Sequence, residues 1–376
     1  MKITRVDAFA IGIGDVGDPE YLVNDDFRYS IYGTRHQTVI ARVETDTGIV
    51  GYGEGQSPIS PETTKSIVET ALRPVLLGRD PLDSAALWYR MYSVMRERGH
   101  QTGFYPDALA AVDIALWDIK GKATGLPVYK LLGGVFRDRV PVYNNVSAAT
   151  PIEAAAEAKS HAEAGYGGVK LHIRDSAEET AKVAEAVRDA VGPEIKIMVD
   201  VHTYHSLSSA IALGRRLEAI DVTWLESPLV PEDIGGLVEL SRALDVPVAS
   251  SEWTRTRWDL REAFERRAFD IVMPDIARTG LTEGMAIATL ADTYNIPVAP
   301  HIGGGGIVSI VASVHYSAAI PNFFIMEHNR NAYPLRGRIA RGQPEVVAGA
   351  FPLPERPGLG IEISDETLAE YSVDGR

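Results

Sequence analysis

The sequence predicts an α/β protein whose larger part is an eight-stranded (β/α)8 barrel of the TIM type, with a smaller α+β domain before it. Two observations support this. The second half repeats short apolar runs that each end in a polar residue and lead into a helical stretch, whereas the first part alternates like an antiparallel sheet. A repeat near 26 residues suits one strand, one crossover helix and two loops. Eight equal units favour a closed barrel over a doubly wound open sheet, which is the structural alternative.

The strands are predicted from runs rich in β-branched and aromatic residues. The first is VPVYNNVS at residues 140–147, and the others are GVKLHI, IKIMVDVH, VTWLESP, VPVASSE, DIVMPD, IPVAPH and FFIMEH. In a parallel barrel, functional side chains gather at the carboxyl ends of the strands. The seven later runs carry polar residues there, separated by 30, 26, 26, 23, 26 and 26 positions: Lys170, Asp200, Glu226, Glu252, Asp275, His301 and Glu327.

The segments between the strands carry helix start signals. Residues 150–153 (TPIE) combine a capping box with Pro at the first helical position. Residues 176–179 (SAEE) repeat the box before an apolar stripe at helical spacing, and Gly192-Pro193 ends it. We therefore expect each strand of the barrel to be followed by a helix.

The chain before the barrel follows a different pattern. Residues 38–54 alternate and turn at Asp46-Thr47-Gly48, which predicts an antiparallel hairpin, and residues 107–134 predict helices that lead into the barrel. Residues 356–371 follow the last strand and are expected to return to the N-terminal domain. The predicted division is an α+β domain at 1–135, the barrel at 136–345 and a returning segment at 346–376.

Composition limits the partners of the protein. The 376 residues hold 37 Lys and Arg against 51 Asp and Glu, a formal net charge of −14, and no basic run stands out, so nucleic acid is not expected. No run of the sequence predicts a signal peptide or a membrane span. There is no cysteine, which excludes disulfides and thiolate chemistry and fits the cytoplasm. A small anionic substrate would need a local cation.

Three carboxylates fall on consecutive predicted strands. Asp200, Glu226 and Glu252 would converge at one side of the barrel mouth. Carboxylates that close cannot all stay ionised without a cation between them. All-oxygen ligands select a hard divalent ion, so we expect one Mg²⁺ per subunit. Lys170 is the alternative source of positive charge.

Proton-transfer groups are predicted around this metal site. Asp275 and His301 end neighbouring strands, and a carboxylate beside an imidazole fixes its tautomer and raises its basicity. His202 lies two residues after Asp200 and therefore faces the same mouth, where it could donate a proton. The alternative for each histidine is a structural role, in which His202 only orients Asp200.

The predicted strand GVKLHI carries two further candidate site residues. Lys170 and His172 are two residues apart, so they project to one face of the strand, away from Val169, Leu171 and Ile173. A cation and an imidazole on one face of so apolar a strand are expected to serve the site at the mouth.

The ordered set of polar residues at the strand ends, with DIALWDIKGK upstream and GLGIEI near the end, resembles the enolase superfamily, mandelate racemase subgroup. Within it, the Asp200-Val201-His202 spacing is similar to sugar acid dehydratases of the galactonate type. The resemblance covers essentially the whole chain. It implies an N-terminal domain that caps the barrel mouth, and a Mg²⁺ ion that binds a substrate carboxylate and stabilises the enediolate formed on loss of the α-proton.

The resemblance also implies roles for individual residues. His301 would be the base, oriented by Asp275, and Lys170 would bind the substrate carboxylate or enediolate. His172 stands where many members carry a second lysine base, and His202 would protonate the leaving hydroxyl. The last catalytic residue of the set is Glu327.

Three functions are consistent with these residues. The first is a Mg²⁺-dependent acid-sugar dehydratase that yields a 2-keto-3-deoxy acid. The second is a racemase, epimerase or lactone cycloisomerase of a sugar acid in which His172 and His301 act as opposed bases. The third is a non-catalytic sugar-acid binding protein. Specificity for the sugar is expected to lie in residues 21–36 and 96–105, and relatives suggest a homo-oligomer.

Overall fold

The computed structural model describes residues 1–14, 20–24, 28–32, 36–148 and 150–373, with side chains left out at 20–24 and 28–32. Most of the predicted specificity segment at 21–36 therefore lies outside the described side chains. The described part contains no helix that is both long and apolar enough to cross a membrane.

The N-terminal part is a small antiparallel sheet covered by helices. Its strands are β1 (Ile3–Ile13), β2 (Glu20–Asn24), β3 (Arg28–Tyr32), β4 (His36–Thr45) and β5 (Val50–Gly55), and its helices are α1 (Pro61–Ile67), α2 (Arg73–Leu76), α3 (Ser84–Arg96), α4 (Phe104–Thr124) and α5 (Val128–Leu132). The order β1–β4–β5 is antiparallel, and β2 pairs with β3. The predicted hairpin at 38–54 is thus confirmed, and so are the helices within 107–134.

The sheet and α4 pack unusually closely. A Cβ built on Gly53 would lie 1.9 Å from the carbonyl oxygen of Ala111, and one on Gly51 would lie 2.2 Å from that of Ala115. Only glycine permits so close an approach of strand and helix backbones. The helix therefore lies directly on β5, whose end reaches the site described below.

The second part alternates strands and helices as predicted. Its elements are β6 (Arg139–Val146), α6 (Pro151–Glu163), β7 (Gly168–His172), α7 (Ala177–Val191), β8 (Lys196–Asp200), α8 (Leu207–Glu218), β9 (Trp224–Glu226), α9 (Ile234–Ala243), β10 (Val248–Ser250), α10 (Arg257–Arg266), β11 (Ile271–Val272), α11 (Ile276–Thr293), α12 (Ile307–Ala319), β12 (Met326–His328), α13 (Tyr333–Arg336), β13 (Ala350–Pro352) and α14 (Asp365–Tyr371). Both predicted helix starts are confirmed, since Thr150 caps α6 and Ser176 caps α7.

The parallel strands return to their starting point. They pair in the order β11–β10–β9–β8–β7–β6–β12. Between β11 and β12, single parallel bridges link Val272 to Val298 and Val298 to Phe323. The predicted strand IPVAPH is thus reduced to isolated bridges, because Pro297 and Pro300 have no N–H to donate to a ladder. The architecture is the predicted (β/α)8 barrel, with one strand shorter than the sequence pattern suggests.

The C-terminal segment joins the two parts. β13 pairs antiparallel with β6 of the barrel, while the backbone N–H of Val373 donates to the carbonyl of Ala10 in β1, at 2.9 Å. His315 of α12 adds a third link, because its Nε2 contacts the carbonyl oxygen of Leu359 and its Nδ1 accepts from the N–H of Tyr129. The division at residues 135 and 345 remains a proposal.

Candidate active site at the carboxyl ends of the barrel strands

A cavity of about 830 Å³ lies where the strand ends meet the N-terminal domain. From the barrel side, it is lined by predicted site residues and by arginines that the sequence did not single out. From the N-terminal side, it is lined by residues of β4 and the segment after β5. The residues that define its opposite walls are His36, Gln56, Asp200, His202, Glu252, Arg278, His301, Glu327 and Arg336.

Lys170 lies below this cavity, among the carboxylates. Its ammonium is 2.8 Å from Glu226 Oε1, 3.2 Å from Glu327 Oε1 and 3.6 Å from Asp200 Oδ2. Its side chain has no exposed surface, and its Nζ lies 5.6 Å from the centre of the Tyr143 ring. The sequence predicted that Lys170 lies at a strand end, and it does. Its side chain, however, is buried beneath the carboxylates and does not line the cavity.

The pKa values follow from this arrangement. Burial would raise the pKa of Asp200, but Lys170 and then His172 bring it below its usual range. Burial, reinforced by neighbouring carboxylates, outweighs the effect of Lys170 and raises the pKa of Glu226 to about 8. An acid that resists ionisation beside a lysine indicates that the cluster is short of positive charge.

Asp200, His202 and Glu252 form a group that could hold a metal ion. One potential ligand atom from each lies within 4.8 Å of the others. Glu252 Oε2 is buried and accepts no well-directed hydrogen bond among the described residues, although His301 Nε2 is 3.2 Å away. A buried carboxylate oxygen without a hydrogen bond is costly unless a cation occupies the space beside it. The donor set therefore fits a divalent cation.

Glu226, the third predicted metal ligand, is engaged elsewhere. Its Oε2 accepts a 2.9 Å hydrogen bond from Trp224 Nε1, and its Oε1 accepts one from Lys170. The predicted set of Asp200, Glu226 and Glu252 stays a prediction, because Glu226 remains beside Asp200 across β8 and β9. What the sequence did not anticipate is that His202 joins the group.

His202 owes its position to an unusual backbone. Its φ of 44° lies in the left-handed region, and its N–H donates to Asp200 Oδ1 at 2.9 Å. The imidazole Nδ1 lies 3.6 Å from Glu252 Oε1, and the ring packs edge-on against Trp253. Non-glycine residues in this region cluster at functional sites. The turn after β8 thus directs the imidazole into the cavity beside two carboxylates.

His301 and Asp275 form the predicted pair. The imidazole Nδ1 lies 2.9 Å from Asp275 Oδ2, while Asp275 Oδ1 accepts from the N–H of Ala277 and caps α11. The other ring nitrogen, Nε2, faces Glu252 and Glu327 at 3.2 and 3.7 Å. Burial would lower the pKa of His301, but Glu252, Glu327 and Asp275 together raise it to about 9. The pair holds Nδ1 and leaves Nε2 towards the cavity.

Glu327 connects the two sides of the site. Its Oε2 accepts backbone hydrogen bonds from Ile302 at 2.8 Å and Gly303 at 3.1 Å, and its Oε1 accepts from Asn145 Nδ2. Burial opposes ionisation, but Lys170 and then His301 hold the pKa of Glu327 well below its usual range. It therefore carries negative charge and fixes the loop that follows His301.

His172 is the most exposed of the predicted residues. Its side chain is 44% exposed, lines the cavity and contacts Asp200 Oδ2 through Nδ1 at 3.1 Å. Lys170 and His172 lie on the same face of β7, as predicted. The lysine side chain is enclosed by protein, whereas the imidazole is exposed to the cavity. The shared face places both against Asp200.

Sequence reasoning missed the residues that the N-terminal domain and α13 contribute. Arg278 donates to Gln56 Oε1 and to the carbonyl of Glu252, and Arg336 donates to the carbonyl of Gly303. Arg278 lies three residues after Asp275, and that position could have been noticed as the first turn of the following helix. Gln56 and Arg336 do not belong to the repeat of polar residues at the ends of the barrel strands.

The comparisons with known proteins agree with this geometry. Residues 153–367 match a family model described as "Enolase C-terminal domain-like". Residues 26–133 match the one described as "Mandelate racemase / muconate lactonizing enzyme, N-terminal domain". The chain therefore belongs to the enolase superfamily, in the mandelate racemase and muconate lactonizing enzyme group, and the resemblance drawn from its motifs is confirmed.

Similar proteins include enzymes with more than one activity. The chain is 34% identical to the D-galactarolactone cycloisomerase of Agrobacterium fabrum, over 90% of this chain and 92% of that protein. It is also 34% identical to the arabinonate dehydratase of Saccharolobus solfataricus, over 89% and 90%. Among solved structures, the 3,6-anhydro-D-galactonate cycloisomerase of Zobellia galactanivorans superposes with a TM-score of 0.87 at 30% identity, covering 99% of both chains. These relatives are enzymes of sugar acid chemistry, so an enzyme is favoured over a binding protein.

Proposed function

We propose that this protein is a Mg²⁺-dependent acid-sugar dehydratase, which removes the proton alpha to a carboxylate and eliminates the β-hydroxyl to give a 2-keto-3-deoxy acid. The observation that carries the proposal is that two histidines in different settings face one cavity. His301 is oriented by Asp275, and His202 is held beside Asp200 and Glu252. The sequence similarity to arabinonate dehydratase supports the same chemistry.

Metal binding is assigned to Asp200, Glu226 and Glu252, with His202 beside them. Two observations support a need for a cation: Glu252 Oε2 accepts no hydrogen bond from the described residues, and the pKa of Glu226 is raised. When bound, Mg²⁺ supplies positive charge that favours negative charge on the carboxylate oxygens of the substrate. Lys170 holds Glu226 and Asp200 in place through contacts at 2.8 and 3.6 Å, and it favours the ionised form of Asp200.

His301 takes the α-proton in this proposal. A general base needs one ring nitrogen held and the other directed at the proton. Asp275 accepts from Nδ1 at 2.9 Å and so leaves Nε2 as the receiving atom. Glu252 and Glu327 stabilise the imidazolium, because both lie within 3.7 Å of Nε2, and a cation beside Glu252 would be needed to lower the raised pKa so that His301 is free to accept the proton.

His202 gives a proton to the leaving hydroxyl. Hydroxide is a poor leaving group, so elimination requires an acid at the β-oxygen. Burial lowers the pKa of His202, which opposes the protonated form that an acid needs, whereas the neighbouring Asp200 and Glu252 raise the pKa and favour that form. Its side chain is 30% exposed at the cavity, where a substrate carbon beyond the carboxylate would pass.

A second candidate function is isomerisation, as a racemase, epimerase or lactone cycloisomerase. The observation that favours it is His172, an open imidazole on the cavity wall that could act as a second base. The relative from Agrobacterium fabrum is a cycloisomerase. Both functions begin with loss of the α-proton, and they differ in whether an oxygen leaves as water or remains attached.

Incubation with acid sugars in deuterated water tests the proposal. The dehydratase produces a 2-keto-3-deoxy acid, which has lost one molecule of water and has taken up deuterium beside the new carbonyl when the enol became the ketone. An isomerase instead gives a product of unchanged formula, apart from deuterium incorporated at the α-carbon. Formation of isomer with no keto acid, across a library of mono- and diacids, would replace the first proposal with the second.

The proposal extends to the setting of the enzyme. The absence of cysteine supports a cytoplasmic location. The resemblance to the subgroup supports a homo-oligomer, which size-exclusion chromatography with light scattering would measure.

A further inference from the structure

Arg336 is a buried cation in the wall of the cavity. It ends α13, the short helix after the last barrel strand, and only 8% of the residue is exposed. Its Nη2 donates to the carbonyl oxygen of Gly303 at 2.7 Å. Gly303 in turn donates its N–H to Glu327, which places Arg336 on the side of the cavity that carries His301.

The described residues place no carboxylate in direct contact with this guanidinium. None of their carboxylate oxygens lies within 4.0 Å of its nitrogens, so Glu327, Glu54 and Asp275 act on it only at longer range, and its bond to the carbonyl of Gly303 is the one hydrogen bond it donates to them. Arg278, on the same wall, differs because it is bonded to Gln56 and to the carbonyl of Glu252. A buried guanidinium has five N–H donors and a large desolvation cost, so it needs an anion that this part of the chain does not provide.

His36 supplies a second polar group at the same place. It lies on β4 of the N-terminal domain and lines the cavity opposite the barrel. Its Nε2 is buried and has no hydrogen-bond partner among the described residues. Burial, and then the charge of Arg336, lowers the pKa of His36 to about 3, so the imidazole is neutral and can bind a hydroxyl or a carboxylate oxygen.

We propose that Arg336, assisted by His36, binds a second carboxylate at the far end of the substrate, so that the enzyme acts on a sugar diacid (an aldarate) in preference to an aldonate. This inference rests on the proposed function, in which the first carboxylate lies at the Asp200 and Glu252 site. The planar guanidinium fork matches a carboxylate through two parallel hydrogen bonds. The terminal hydroxyl of an aldonate would leave the arginine without its anion.

The test compares matched pairs of acids that differ only at the far end, such as galactonate with galactarate and gluconate with glucarate. For each pair we would measure α-proton exchange, keto-acid formation and the dissociation constant in the presence of Mg²⁺. Wild-type enzyme should favour an aldarate over its aldonate by on the order of 10²-fold in kcat/KM, mainly through KM.

Arg336→Met should lower kcat/KM for the aldarate far more than for its aldonate and so remove this preference, while Arg336→Lys should keep part of it. Arg137→Met is the matched control, because Arg137 also donates to carbonyl oxygens, those of Ser317 and Ile320, but does not line the cavity. Thermal unfolding of each variant, with and without Mg²⁺, separates binding from damage to the fold.

The outcomes are distinct. If Arg336→Met lowers both members of a pair by the same factor, Arg336 only supports the Gly303 loop and the inference is wrong. If wild type prefers aldonates, the inference is wrong and the dehydratase proposal stands. If no acid of either class loses its α-proton or binds, the proposed function itself fails.

Discussion

Lys170 and Arg336 are both buried cations at the same end of the barrel, and the protein surrounds them in opposite ways. Three carboxylates lie within 3.6 Å of the Lys170 ammonium, which has no exposed surface. Arg336 has a single carbonyl as a partner among the described residues, and it faces the cavity. The folded chain surrounds the lysine with carboxylates, whereas we propose that the arginine receives its contacting carboxylate from the substrate.

This difference separates residues that build a site from residues that receive a ligand. A buried charge with its full set of partners contributes to the geometry and the field of the site. One that lacks an anion raises the energy of the empty protein and favours binding of an anion. Variants of the two cations and of their neighbours test this difference.

The largest effect is expected from Lys170→Met. This change leaves three buried carboxylates without their cation, which should lower the free energy of unfolding by about 3–5 kcal/mol and abolish turnover. Arg336→Met should change it by no more than about 1 kcal/mol, because no carboxylate loses a partner. Denaturant unfolding in EDTA measures both.

Lys182→Met is the control for the lysine, since Lys182 forms ion pairs with Glu178 and Glu179 at the surface. It should leave the free energy of unfolding nearly unchanged, because solvent screens ion pairs at the surface. If Lys170→Met proved as stable as the control, Lys170 would not be a supporting cation.

The next effect concerns the metal ligands. Glu252→Gln should weaken Mg²⁺ binding by at least about tenfold, measured by isothermal titration calorimetry, because it removes the charge of an oxygen that has no hydrogen bond. Glu226→Gln should do the same if Glu226 leaves Lys170 to bind the ion. Loss of affinity in Glu252→Gln alone would reduce the ligand set to Asp200, His202 and Glu252.

An effect confined to acid pH is expected at His315, a buried group whose hydrogen bonds require the neutral imidazole. Burial lowers the pKa of His315 from its ordinary value near 6.5 to about 4. The folded state therefore binds fewer protons than the unfolded state between these values, so stability falls as the pH drops through this range, by about 3 kcal/mol.

His315→Gln should flatten this pH dependence, which unfolding curves collected between pH 4 and pH 7 would show. His100→Gln is the control, because His100 is an exposed residue between α3 and α4. An unchanged slope in His315→Gln would mean that other groups cause the acid sensitivity.

The sequence predicted the part of the site that follows the repeat. Lys170, Asp200 and His301 all lie at strand ends, and parallel strands bring such ends together whatever the details of packing. It could not predict that Lys170 is enclosed by carboxylates, since the strand pattern gives the face of a side chain and not its depth. His36 is the last residue of the predicted specificity segment at 21–36, but its role there could not be derived, and Arg336, which lies outside the repeat, was missed.

The same limit applies within the fold. The spacing of the repeat predicted the seventh strand, but Pro297 and Pro300 reduce it to single bridges at Val298 and His301. The missing N–H groups of the two prolines therefore determine how far this strand pairs, which the spacing of the repeat could not predict. His202 is similar, because the left-handed turn that directs it into the cavity has no glycine or asparagine to announce it.

The most direct test of the proposed elimination uses the variant His202→Asn. The quantity to measure is the ratio of α-proton exchange to keto-acid formation, in deuterated water, with a sugar acid that the wild type dehydrates. Asparagine keeps a hydrogen bond but cannot act as an acid, and acid catalysis contributes on the order of 10² to 10⁴ in rate. If His202 is the acid, exchange of the α-proton through His301 should continue while keto-acid formation falls by that factor. If exchange and product formation fell together, His202 would not be the dedicated acid and the proposed elimination step would be contradicted.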